Sequence, residues 1–132
     1  MKMNIRTHAG IERTLCGTPV EISPGHAVVE MTTWAAMGAD ASGLVHGGFV
    51  FGLADYAAML AVNEATVVLA GADVRFLRPA RVGDRLRAEA TVTAAAPPKY
   101  EVRCTVQGSG GPVFDGNFHC HVPKKHVLAE KT

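Results

Sequence analysis

The sequence predicts an α+β fold in which one long, almost wholly apolar helix is wrapped by a curved antiparallel sheet. Two observations carry this. Seventeen residues from Gly47 to Asn63 (GGFVFGLADYAAMLAVN) contain a single charged side chain, Asp55, and a helix apolar on nearly every face must be buried all round. The flanking segments alternate apolar and polar residues with the period of two that half-buried strands require. With 132 residues, 48% hydrophobic and 19% charged, the chain is sized for one core, so residues 1–132 are read as a single domain.

The elements follow in order. Residues 18–33 predict two extended pieces joined by a tight turn at Ser23-Pro24-Gly25. Residues 38–43 (GADASG) are small and turn-like, and lead through His46 into the helix. Beyond Asn63 the period changes from helical to two. A strand is expected within 66–78, ending at Pro79, before a turn at Val82-Gly83-Asp84. Leu86, Ala88, Ala90 and Val92 then share one face. After the break at Ala96-Pro97-Pro98-Lys99, so do Tyr100, Val102, Cys104 and Val106. Gly108 to Gly111 turns the chain into a last strand whose Phe114, Phe118, Cys120 and Val122 point inward. Four successive strands with short connections predict an antiparallel meander. One sheet covers only part of the helix circumference, so a second copy of the chain is the expected cover for the rest.

Composition excludes several functions. A net charge of +1 gives no global field for nucleic acid or an anionic membrane. The apolar stretch is short for a membrane span and is interrupted by glycines and an Asp. The opening MKMNIRTHAG lacks a secretory apolar core, so a cytoplasmic location is expected. Cys16, Cys104 and Cys120 lack CxxC spacing and are read as reduced thiols. His119, Cys120 and His121 alternate across a strand and are not read as a metal site.

Asp55 is the candidate for chemistry. A carboxylate inside an apolar helix is costly unless it is hydrogen-bonded or used; a structural role bonded to a neighbouring group is the alternative.

The run ASGLVHGGFVFGLADYAAMLAVN followed by DVRFLRPARVGDRL resembles the hotdog-fold acyl-CoA thioesterases of the phenylacetate-degradation (PaaI-like) type. The resemblance covers residues 40 to about 95, with HGG, the Leu-Ala-Asp eight residues on, and the RPARVGD turn in order. It implies a hotdog fold and hydrolysis of an acyl- or aryl-CoA thioester to free acid and CoA. No metal or cofactor is implied beyond coenzyme A as part of the substrate. The N–H of Gly47, with Gly48 making room, is implied as oxyanion donor at the helix N-terminus, and His46 as the residue that orients the loop or the thioester. Eight helical residues put Asp55 ~12 Å from Gly47 of its own chain, beyond catalytic reach. The resemblance therefore implies antiparallel helices from two subunits, with Gly47 of one facing Asp55 of the other, in a homodimer or a dimer of dimers. Asp55 is then a general base or a nucleophile, and both remain open.

Two departures stand out. Asp40, six residues before His46, is counted among the candidate catalytic residues because it stands where relatives commonly carry an Asn that positions the water; the change to a carboxylate keeps a non-catalytic acyl-CoA or hydrophobic-acid binder as one alternative. The strand after the helix opens Val68-Leu69-Ala70-Gly71-Ala72, without the hydroxyl some relatives carry there. A hotdog hydratase or dehydratase is the other alternative. Among five arginines within residues 75–87, Arg78 and Arg81 beside the turn are the candidates for coenzyme A phosphates. A solvated strand face is the plainer explanation of that cluster.

Overall fold

A computed structural model describes residues 3–129. A short helix α1 (Arg13–Cys16) precedes a hairpin of β1 (Thr18–Ser23) and β2 (His26–Thr32), whose turn carries Gly25 at φ 74°, in the left-handed region. The 3-10 turn Ala35–Met37 and the loop to His46 lead into α2 (Gly47–Val62). β3 (Val68–Phe76), β4 (Arg85–Ala96), β5 (Lys99–Gly108) and β6 (Gly111–His121) follow. The six strands form one antiparallel sheet in the order β1-β2-β4-β5-β6-β3.

That order corrects the four-strand meander. Only β4, β5 and β6 follow one another; β3 crosses to the far edge and pairs with β6, while β2 takes the place beside β4. The eight residues 77–84 carry the crossing, and Leu77 begins it by donating to the Val113 carbonyl at 2.8 Å. Strand alternation fixes faces but not neighbours. Gly116 admits β3 to its place. A Cβ there would lie 2.5 Å from Val74 Cγ1 and 2.8 Å from the Asp73 carbonyl oxygen, so only a residue without a side chain allows that approach.

The core is the helix against the concave face of the sheet. Leu53, Ala54, Tyr56, Ala57, Ala58, Met59 and Leu60 are buried against Val29, Leu86, Ala88, Val102, Phe114 and Phe118. The inward residues of β4, β5 and β6 are those the alternation predicts. As expected, one stripe of α2 is left partly open: Gly48 is exposed, and Phe51, Gly52 and Asp55 are half-buried. These positions are spaced i, i+3, i+4 and i+7, one face of a helix. Asn63 ends the helix in the left-handed conformation at φ 51°. Its side chain accepts from the Arg6 N–H at 2.8 Å and donates to the Asn4 carbonyl at 2.7 Å. The N-terminal segment is thereby tied to the helix C-terminus. No helix among the described residues is long and apolar enough to cross a membrane.

Candidate active site

α2 starts where its sequence becomes glycine. His46, extended at ψ 130°, is the N-cap residue, and its side chain makes no capping bond. The first-turn N–H groups of Gly47 and Gly48 have no residue four places back within the helix to receive them. Both positions are tightly framed. A Cβ on Gly47 would lie 3.3 Å from the Phe76 ring, and one on Gly48 would lie 3.1 Å from the His46 imidazole. The room at Gly48 is thus filled by His46, whose backbone N–H donates to Met37 at 2.9 Å. Gly47 opens into a pocket of about 320 Å³ with Val45, Phe76, Arg78 and Pro79.

Arg78 lies beyond the end of β3, and its guanidinium donates to the Gly110 carbonyl in the β5–β6 turn. A cation is thus held at the mouth of the helix N-terminus pocket. Arg81, exposed like Arg78, differs in that its backbone builds the turn, the N–H donating to Asp84 at 2.8 Å and the carbonyl accepting from Thr33 at 2.7 Å. Of the other arginines, Arg87 reaches Glu30 at 3.7 Å. It also lines, with Arg13, Trp34 and Arg85, a larger groove of about 780 Å³ that shares no lining residue with the Gly47 or Asp55 pockets.

Asp55, two turns further along α2, opens into another pocket, of about 370 Å³, with Thr7, His8, Met59, Thr66 and His126. Its Oδ1 is fully shielded and has no hydrogen-bond partner among the described residues. Burial alone pushes its pKa up from 3.8 to about 6. Local bonds from the described residues of one chain leave that oxygen unsatisfied. Cysteine is poorly suited to act in its place, because burial pushes Cys104 and Cys120 up to about 12.

The structure brings together Gly47 and Arg78, with His46 beside them, and leaves Asp55 in a separate pocket of the same chain. Asp40 lines neither. It is exposed and accepts from the Ser42 N–H at 2.9 Å, the Ser42 hydroxyl at 2.6 Å and the Leu44 N–H at 3.4 Å. The Ser42 bonds, foremost the hydroxyl, hold its carboxyl below the usual range. His119, on the outer sheet face, sits between Asp73 and Glu101. Sequence reasoning missed His8, Thr7, Thr66 and His126. A hydroxyl does stand near Asp55, on Thr66 just before β3, but it donates to the Pro123 carbonyl at 2.6 Å.

Residues 42–112, just over half of the chain, match the thioesterase superfamily. The chain belongs to that superfamily. Among solved structures, this superfamily member is similar to an uncharacterized protein from Pyrococcus horikoshii, with 49% identity, 98% of this chain and 99% of the other covered, and a TM-score of 0.94. It is also similar to the PaaI protein of the E. coli phenylacetic acid degradation operon, with 29% identity, 78% and 80% covered, and a TM-score of 0.71. The expected PaaI-like hotdog fold is thereby established. A methylthioribose-1-phosphate isomerase from Aquifex aeolicus is 48% identical over 116 residues, which are 88% of this chain and 25% of that protein. The chain spans less than half the length of the curated relatives it matches.

Proposed function

We propose that this chain hydrolyses acyl- or aryl-CoA thioesters at sites shared by two copies related by a twofold axis. The observation that carries the reading is the Asp55 carboxylate, whose Oδ1 is shielded and without a partner among the described residues and whose pKa is raised to about 6. Such a group is ionised at neutral pH yet basic enough to take a proton from water. Superfamily membership supports the reaction class, and Arg78 beside Gly47 supports a phosphate-bearing carrier such as coenzyme A.

Within one chain the oxyanion donor and the carboxylate are ~12 Å apart along the helix. Antiparallel helices would bring Gly47 of one copy to Asp55 of the other, with the axis near the midpoint at Phe51 and Gly52. That midpoint lies on the partly open stripe, and around Gly52 nothing lies within 4 Å of where a Cβ would be. The helices have room to meet there.

In the reaction, Asp55 takes a proton from water as the water oxygen bonds to the thioester carbonyl carbon. The carbonyl oxygen gains negative charge facing the Gly47 N–H, in the positive field of the helix N-terminus. The C–S bond then breaks, and the proton held by Asp55 goes to the leaving sulfur, giving free acid and CoA thiol. Direct attack by Asp55 to give an anhydride, later cleaved by water, uses the same groups. After single turnover in oxygen-18 water, label in Asp55 identifies the anhydride route with water attacking the Asp carbon, a position that direct hydrolysis never labels.

A panel of acyl-CoAs, monitored for free thiol and for enoyl absorbance, tests the reading as a whole. Thiol release without absorbance change supports hydrolysis. Absorbance change without thiol would indicate a hydratase or dehydratase, and binding with neither would indicate a carrier or sensor.

A further inference from the structure

We infer that His8 recognises a hydrogen-bonding substituent, of hydroxyl type, on the acyl group; this rests on the hydrolase reading above. The Asp55 pocket is the acyl chamber. Arg78 marks the Gly47 side as the direction in which the coenzyme A arm leaves the thioester, whereas no lysine or arginine is among the described residues lining the Asp55 pocket. At about 370 Å³ it holds a short chain or one ring. Met59, Val67 and Leu69 supply apolar wall, but Thr7, His8, Thr66 and His126 make the rest polar. A site built for plain alkyl chains would not place so many polar groups there.

Most of that polarity is already committed. The Thr66 hydroxyl donates to Pro123 at 2.6 Å, and His126 Nδ1 accepts from the Leu128 N–H at 3.0 Å in an exposed segment where water serves the rest. Thr7 is buried, and its hydroxyl engages His8 Nδ1 at 2.8 Å. This leaves Nε2 of a half-buried ring with no hydrogen-bond partner among the described residues. Burial lowers the His8 pKa, so the ring acts as a neutral hydrogen-bonding group rather than a counter-ion. A hydroxyl answers either tautomer, since it both donates and accepts.

The backbone holds the ring in place. His8 is at φ 55°, uncommon for a residue with a side chain and tolerated best by Gly, Asn, Asp and His. Its carbonyl accepts from the Ile11 N–H at 3.2 Å, and the segment before it is tied to Asn63.

The test compares kcat/KM for matched pairs, butanoyl-CoA against its terminally hydroxylated counterpart and hexanoyl-CoA against its own. It uses wild type, His8→Gly and His8→Asn, both of which accept the left-handed backbone. Wild type is expected to favour the hydroxylated member of at least one pair by about tenfold or more. His8→Gly should erase that preference while still cleaving the alkyl member, and His8→Asn should keep part of it. No preference in wild type, or a preference that survives in His8→Gly, overturns this inference while the hydrolase reading stands. Thiol release from none of the panel overturns both.

Discussion

Gly47 and Asp55 stand on one helix yet open into different pockets, one beside Arg78 and the other beside His8. A complementation experiment follows. Asp55→Ala and Gly47→Pro chains should each be inactive, and Pro at the first helical position removes the N–H with little cost to the helix. Randomly mixed in equal amounts, half of the dimers carry one intact site of two, so recovery to about a quarter of wild-type activity is expected. No recovery, with subunit exchange demonstrated, would mean that donor and carboxylate act within one chain.

Asp55→Asn is expected to lower kcat by roughly two to four orders of magnitude with the fold intact. In the wild type, activity should rise with pH through about 6, as the carboxyl loses its proton. Stability should run the other way. The folded pKa lies above the unfolded value, so the stability linked to Asp55 is fully present below about pH 4 and is lost as pH rises through about 6. Asp55→Asn should therefore stabilise the protein at pH 8 by as much as about 3 kcal/mol, and much less at pH 4. Urea denaturation at the two pH values checks this; an equal effect at both would exclude a raised pKa.

Gly52→Leu separates fold from assembly. Within one chain nothing lies within 4 Å of the new Cβ, and leucine favours helix over glycine by roughly 0.5–1 kcal/mol. Thermal stability of the chain should hold or rise. If two helices meet at this residue, the substitution disperses the pair and abolishes turnover, as sedimentation and thioester assays would report. An active, unchanged oligomer would place the shared site elsewhere.

Arg78→Glu should raise KM for acyl-CoA with kcat nearly unchanged, and should do far less to an acyl-pantetheine thioester lacking the nucleotide phosphates. Arg81 was chosen on the same grounds, but its backbone builds the turn, so Arg81→Glu is the comparison. Equal damage to both substrates by Arg78→Glu would reduce that residue to a brace for the β5–β6 turn.

Much of this was legible beforehand. The helix ends at Val62, one residue short of the apolar run, because Asn63 takes the left-handed cap. The inward faces of β4, β5 and β6 follow from alternation, and the unusual burial of Asp55 follows from its apolar neighbours. The place of β3 was not legible, since a period of two says which way a side chain points and nothing about which strand lies alongside; Gly116 is a local trace of that pairing. The Asp55 pocket was hidden for a related reason. His8, Asp55 and His126 come from distant parts of the chain, and residues 3–10 carry no periodicity by which their docking could be foreseen. Arg78 was found by its charge, whereas its anchor at Gly110 is a backbone carbonyl, which no side-chain pattern reveals.

Asn63 holds the segment leading to His8, and His126 reaches the same chamber from the other side of the sequence. Both outer stretches of the chain therefore contribute to the lining of the Asp55 pocket. Anything joined covalently before or after them, whether an affinity tag or a neighbouring domain, would be tethered at the door of that chamber. Traction on Asn4 and Arg6 would be transmitted to the imidazole two residues on. A fused neighbour is thus expected to act on the lining of the Asp55 pocket without altering a single residue of the helix.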